Sequence, residues 1–341
     1  MHSCATLESA MSPYLILPEI EAAHVRIAPT AIRTPLVLLP ETRIWIKCES
    51  AQPIGSFKLR GAYNMIVQLG PEQLGRGVIT YSSGNHAQGV AYAARALGAK
   101  AVIVMPDNAP QIKIDATRAL GAEVVFVGPA SSARKLKAEE LAEAHGYSII
   151  PPYDHHHIIA GQATCGLEIT EQLPDVGLVL SPVSGGGLLS GTATAVKLAA
   201  EAGRCNPGVK VWGAEPALAA DAKESFDTRT LVEWPAALTS RTLGDGLRTQ
   251  SLGRLNFEHI LCFVDGIVAV TEDEMLAAMR HLLAHTGLIP EPSGAVTLAA
   301  ALFHAEELPS SEKTVVILSG GNVEPALLQR LEAEVVASSV Q

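Results

Sequence analysis

The chain has 341 residues, a formal net charge of −10, 48% hydrophobic residues and 18% charged ones. That length suits about two domains, and the apolar share excludes a disordered or collagen-like chain. The acidic balance, with no Lys/Arg cluster, excludes the electrostatic footprint of a nucleic-acid binder.

Five scattered cysteines (Cys4, Cys48, Cys165, Cys205, Cys262) form no C-x-x-C pair. Neither a disulfide framework nor a zinc module is expected, and a reducing, cytoplasmic compartment is. Glu8 interrupts the N-terminal apolar run, so no signal peptide is read there. The long uncharged stretch Val176–Val196 is broken by glycines and Pro182, so no membrane span is expected.

In chain order, the pattern predicts a strand at Val78–Tyr81, a small-residue helix at Gly84–Leu97, and a strand at Ala101–Met105. A helix follows at Ile112–Leu120, a strand at Glu123–Val127, and an amphipathic helix at Ser131–His145. The second half reads as strand Gly177–Leu180, helix Leu188–Ala202, and strands Val209–Gly213 and Phe263–Val270. Helices Glu272–His285 and Ser293–Ala305 and strand Thr314–Leu318 complete it. Strands alternating with helices imply βαβ units, hence an α/β fold of two open, twisted, mainly parallel sheets. With no long linker, the boundaries fall at two short crossings. A large domain takes residues 1–76 and 154–341, and a small domain takes 77–153.

Four Gly/Ser-rich segments carry the chemistry. Ser184-Gly185-Gly186-Gly187-Leu188 opens a helix after a strand, so its bare amides form either an anion nest or a tight βα turn. Ser82-Ser83-Gly84-Asn85-His86 also starts a helix after a strand, as a carboxylate cradle or an N-cap. Lys58, between Ser56 and Gly61, is either a surface lysine or a desolvated amine able to form a Schiff base. Ser319 follows a strand directly, in Ser319-Gly320-Gly321-Asn322. Taken together, these are the parts a pyridoxal phosphate site needs.

Ser56-Phe57-Lys58-x-Arg60-Gly61-Ala62, Ser82-Ser83-Gly84-Asn85-His86-x-Gln88, the Ser184 loop, Glu291-Pro292-Ser293-Gly294-Ala295 and Ser319-Gly320-Gly321-Asn322 stand in a telling order. Over roughly Val25 to Leu327 the chain resembles the fold-type II pyridoxal phosphate enzymes, and within them the serine/threonine dehydratase and serine racemase family. The resemblance implies that Lys58 holds the cofactor through its amine, with Phe57 against the ring. It gives Asn85 the cofactor's 3-hydroxyl, residues 184–188 the phosphate, and Ser319 the pyridine nitrogen. Ser82, Ser83, Gly84 and His86 would flank the carboxylate of an amino-acid substrate, with Lys58 and Ser83 catalytic. A hydroxyl at the ring nitrogen does not hold it protonated. The ring is then a weaker electron sink, which favours elimination over transamination.

Glu215, Ala219 and Asp221 match the divalent-cation site of the racemase-like members, and oxygen ligands suit Mg²⁺, Ca²⁺ or Mn²⁺. His155-His156-His157, read at a strand exit, shares no helical face and is not expected to bind metal. No C-terminal regulatory domain like that of the biosynthetic dehydratases is expected. Leu243-Gly244-Asp245-Gly246 has glycine where alanine is expected. The expected activity is elimination from a β-hydroxy amino acid such as L-threonine or L-serine. Racemisation, favoured by Ser83, or a larger β-hydroxy substrate is the alternative, and a non-catalytic sensor is the rival class. A homodimer is expected on family grounds.

Overall fold

The computed structural model describes residues 14–82, 84–109, 111–128 and 131–339. Its elements run α1 (Leu17–Ile27), β1 (Leu36–Leu38), β2 (Ile44–Cys48), α2 (Lys58–Ile66), α3 (Pro71–Arg76), β3 (Val78–Tyr81) and α4 (Asn85–Ala96). Then come β4 (Ala101–Pro106), α5 (Gln111–Ala119), β5 (Glu123–Val127), α6 (Ser131–His145), β6 (Ser148–Ile149), α7 (His156–Gln172), β7 (Leu178–Pro182) and α8 (Gly187–Glu201). The chain continues through β8 (Lys210–Pro216), α9 (Asp221–Thr228), α10 (Ala236–Thr239), α11 (Arg254–Phe263) and β9 (Gly266–Val270). It closes with α12 (Glu272–Thr286), α13 (Pro292–Phe303), β10 (Thr314–Leu318) and α14 (Pro325–Ser339).

Two sheets organise the molecule. The larger is six-stranded in the order β1-β2-β10-β7-β8-β9, and the smaller is four-stranded in the order β5-β4-β3-β6. Among these strand pairs, only β1–β2 is antiparallel. The smaller sheet comes from one contiguous stretch of chain, with helices on its flanks. Central strands are unbroken apolar runs because helices cover both faces of a parallel sheet. All six residues of β4 and all five of β7 are buried, whereas β5, at the sheet edge, is only partly covered.

The expected strands and helices lie where the pattern put them, within a few residues, with one correction. Phe263–Val270 is not a single strand: Phe263 closes α11, and β9 begins only at Gly266. An apolar run of that length does not distinguish a helix end from a strand. The pattern also omitted β1, β2, β6 and the helices α1, α2, α3, α7, α9, α10, α11 and α14, of which α2 and α7 are buried nearly all round.

Small residues set the helix contacts. A side chain at Gly191 of α8 would lie 2.6 Å from the Ala163 nitrogen of α7, and one at Gly166 of α7 would lie 2.6 Å from the Thr192 carbonyl of α8. The two helices therefore cross backbone to backbone beneath the larger sheet. Among the described residues, no helix is long and apolar enough to cross a membrane. Cys48, Cys165 and Cys205 are buried and Cys262 is partly exposed, none of the four in a disulfide, while Cys4 lies outside the described residues.

Candidate active site

Lys58 is the first residue of α2. Its Nζ donates to the Pro152 carbonyl at 2.8 Å and lies 5.2 Å from the centre of the Phe57 ring. Burial of the ammonium lowers its pKa to about 8. The turn before it is tied to the strand end that carries Ser319. Phe57 N donates to Ser319 O at 3.1 Å, Gly321 N to Gly55 O at 3.0 Å, and Ser56 bridges Gly320. Gly55 holds a φ of +71°, a left-handed conformation that suits a residue without Cβ.

Behind Lys58, Arg60 anchors α2 in a fully buried ion network. Its Nε donates to Glu49 Oε2 at 2.7 Å and its Nη1 to Glu168 Oε1 at 2.7 Å. Lys47 Nζ donates to Glu168 Oε2 at 2.6 Å. Two cations thus face two carboxylates, so the group is neutral and its hydrogen bonds offset its desolvation. Burial alone would raise the Glu49 carboxyl, but the Arg60 guanidinium outweighs it and holds the group below its usual range.

The loop before α4 comes from the smaller sheet. Gly84 caps the helix, and its amide donates to Ser82 Oγ at 3.3 Å. Ser83 lies outside the described residues. His86 Nε2 is 3.0 Å from the Ile150 carbonyl. A carbonyl only accepts, so Nε2 carries the proton. Burial, and then the nearby Lys58 ammonium, lower the imidazole pKa to about 3, so the ring is neutral and Nδ1 is an acceptor. Asn85 Nδ2 donates to Glu291 Oε1 at 2.7 Å, and Asn85 Oδ1 accepts from Asn322 Nδ2 at 2.7 Å.

The glycine loop sits on the far side of Pro152. A side chain at Gly185 would overlap the Tyr153 ring, and one at Gly186, where φ is +92°, would lie 2.8 Å from Asn256 Cβ. Gly187 begins α8, so the amides of Gly186, Gly187 and Leu188 open its N-terminus. Ser184 Oγ and Thr249 Oγ1 lie 2.9 Å apart.

Glu215 lies near the end of β8, while Ala219 occupies a 3-10 turn and Asp221 opens α9. Glu215 Oε1 accepts from Lys223 N at 2.6 Å, and Asp221 Oδ2 is buried without a partner. Burial, and then the Asp221 charge, raise the Glu215 carboxyl well above its usual range; burial pushes Asp221 up to about 7. Among the described residues, no group of three or more His, Cys, Asp or Glu side chains is placed to hold a metal. The histidine triplet is not at a strand exit: His155 caps α7 by accepting from His157 N at 3.1 Å.

Pairwise contacts therefore gather the segments: Phe57 meets Ser319, Gly89 of the Asn85 helix packs on Lys58, and Pro152–Tyr153 links Lys58 to the glycine loop. The fold adds three groups given no role from sequence. Glu291 and Asn322 belong to quoted motifs, but their contacts with Asn85 are a tertiary fact. Tyr153, packed on the glycine loop, carries no sequence signal. Burial, and then the charge of Asp245, push the Glu291 carboxyl up to about 7.

Comparison with known proteins agrees with this geometry. Residues 27–320 match the family model "Pyridoxal-phosphate dependent enzyme". The chain is 37% identical to a serine racemase of Schizosaccharomyces pombe over 92% of this chain and 97% of that one. It is 39% identical to an L-threo-3-hydroxyaspartate ammonia-lyase of Saccharomyces cerevisiae over 83% of each. The solved threonine deaminase of T.th. superposes with a TM-score of 0.83 at 42% identity, covering 91% of this chain and 99% of that one. The match spans most of the chain in sequence and in fold, and the chain belongs to the fold-type II pyridoxal-phosphate-dependent enzymes.

Proposed function

We propose that the chain eliminates water from a β-hydroxy amino acid such as L-threonine or L-serine, yielding a 2-oxo acid and ammonia. The observation that carries this reading is the Lys58 amine, lowered to about 8, beside a strand end bearing a hydroxyl, Ser319. The residues fit pyridoxal phosphate. A buried amine partnered by a carbonyl is suited to attack an aldehyde. Glycines that could not carry a side chain open the first amides of α8 to a phosphate. When bound, the cofactor supplies an electron sink that acidifies the Cα–H of an attached amino acid.

In this reading Lys58 would hold the cofactor through its amine, and its Nζ, once free, would take the Cα proton of the substrate. Phe57 lies against the ring, Asn85 bonds its 3-oxygen, and Ser319 faces its nitrogen. Ser184, Gly185, Gly186, Gly187 and Leu188 hold the phosphate. Ser82, Ser83, Gly84 and the neutral His86 flank the substrate carboxylate. The β-hydroxyl departs as water, and the released enamine takes up water to give the oxo acid and ammonia. Residues 77–153 form the small domain that brings the carboxylate loop to the cofactor, and the enzyme works as a cytoplasmic homodimer.

A divalent cation held by Glu215, Asp221 and the Ala219 carbonyl belongs to the same reading. It is supported by two buried carboxyls side by side, one with an unpartnered oxygen. Racemisation is the second reading, favoured by the serine racemase relative and by Ser83, whose hydroxyl would serve the face opposite Lys58. The hydroxyaspartate ammonia-lyase relative makes a larger β-hydroxy substrate the third.

One assay separates these: 2-oxo acid and D-isomer formation from L-threonine, L-serine and L-threo-3-hydroxyaspartate, with and without chelator. Elimination exceeding racemisation on the first two supports the proposal, and D-serine as the main product overturns it. Unchanged activity and melting temperature in chelator removes the cation. Lys58→Ala is expected to abolish turnover and borohydride trapping of the cofactor; normal turnover in that variant refutes the assigned lysine.

A further inference from the structure

A carboxamide beside a ring oxygen can present either of two edges. With N–H forward it stabilises an oxyanion; with C=O forward it demands a hydroxyl. The two edges are nearly isosteric, so only the surrounding bonds choose between them.

The bonds around Asn85 make that choice. Asn322 Nδ2 donates to the Ile54 carbonyl at 2.9 Å and to Asn85 Oδ1 at 2.7 Å. A backbone carbonyl only accepts, so the Ile54 contact fixes which end of the Asn322 amide is nitrogen. Both of its hydrogens are then used, and the Asn85 atom that receives the second must be oxygen. Asn85 Nδ2 is consequently on the other edge, where Glu291 Oε1 accepts one hydrogen at 2.7 Å.

Two glycines make room for this chain of bonds. A side chain at Gly55 would overlap Asn322 Oδ1, and one at Gly320 would overlap Glu291 Oε1 and lie 3.2 Å from Asn85 Nδ2. Gly55 and Gly320 thus seat the two groups that orient Asn85.

We infer that Asn322 is a positioning residue: it locks the Asn85 carboxamide so that an N–H, not a C=O, faces the cofactor's ring oxygen. This rests on the proposed role of Asn85 as partner of that oxygen. Asn322 touches neither cofactor nor substrate in this account; it acts only through Asn85.

The test is a double-mutant cycle read on cofactor retention. Dissociation of pyridoxal phosphate from the holoenzyme is followed by loss of its visible absorbance, in wild type, Asn322→Asp, Asn85→Ala and the double variant. An aspartate at this position has the shape of asparagine without its donors. Asn322→Asp is expected to weaken retention about tenfold when Asn85 is present, the effect of losing an oriented hydrogen bond to a charged oxygen. In the Asn85→Ala background the same change is expected to alter retention by less than about twofold. An equal loss in both backgrounds, or no loss with Asn85 intact, overturns the inference while leaving the role of Asn85 standing. No weakening in Asn85→Ala alone overturns both. If Asn322→Asp does not yield folded holoenzyme by circular dichroism, Asn322→Ala, which removes both donors without adding a charge, takes its place in the cycle and is read in the same way.

Discussion

At the scale of single residues, the reactive group is defined by what surrounds it. Lysine in water is protonated almost entirely at neutral pH, and a protonated amine cannot attack an aldehyde. Burial moves Lys58 from 10.5 to about 8. At pH 7 that raises the neutral fraction about 300-fold. The sign follows directly: cofactor uptake by cofactor-stripped protein is expected to accelerate about tenfold per pH unit up to about pH 8 and then level off. Stopped-flow absorbance measures it. A rise continuing toward pH 10 would mean the amine is solvated in the free enzyme. Lys58 was legible in the chain as a candidate, because it stands inside Ser56–Ala62, a motif with one aromatic and small neighbours. What Glu291 and Asn322 do was not. Each occupies a quoted motif, but their bonds join positions far apart in sequence, and no local pattern reports a contact of that range.

At the scale of elements, strands were the legible part and the helix carrying the site was not. β3, β4, β5, β7, β8 and β10 announce themselves as apolar runs bounded by Gly, Pro or charge. α2 and α7 are buried nearly all round; α7 lacks the apolar stripe that marks a surface helix, and α2, nine residues long, carries buried Arg60 and Asn64 among its apolar positions. Their mutual position depends instead on missing side chains. A Cβ at Gly161 of α7 would stand 2.6 Å from both the Arg60 carbonyl and Gly61 Cα of α2. Gly161→Ala must push the helices apart at backbone atoms, which cannot rotate away. It is expected to cost about 1–3 kcal/mol in thermal or denaturant unfolding. Because Lys58 opens the displaced helix, cofactor retention is expected to fall with it. Gly75→Ala is the control: nothing lies within 4 Å of the added methyl, so stability should hold or rise by about 0.5 kcal/mol. Equal behaviour of the two variants would show that the helix crossing tolerates the extra carbon.

At the scale of the whole molecule, the reacting groups come from both sheets, so their relative placement is itself a functional variable. Lys58, the glycine loop and Ser319 belong to the larger unit, while Asn85 and His86 belong to the smaller. The chain crosses between the units near Gly77 and Pro151–Asp154, and Leu59, Ala62 and Ile66 of α2 share a buried apolar cluster with Ala87 and Val90 of α4. Another tie is an ion pair between Lys113, on α5 of the smaller unit, and Asp245, in a 3-10 turn of the larger. The lysine side chain is 17% exposed and the aspartate 38%, so water and salt screen the pair. A pair of that kind contributes little to folding, roughly 0–1 kcal/mol. Under the proposed function its leverage is on how the two units sit about a bound amino acid, where a fraction of a kcal/mol shifts populations severalfold. Asp245→Asn is therefore expected to leave the melting temperature and the cofactor absorbance near wild type and to raise KM for the amino acid severalfold, with kcat little changed. Raising ionic strength should raise KM of the wild type toward that of the variant and leave the variant unmoved. A fall in melting temperature with KM unchanged would make the pair a structural tie; a salt response identical in both proteins would assign the electrostatic control of that arrangement to other residues.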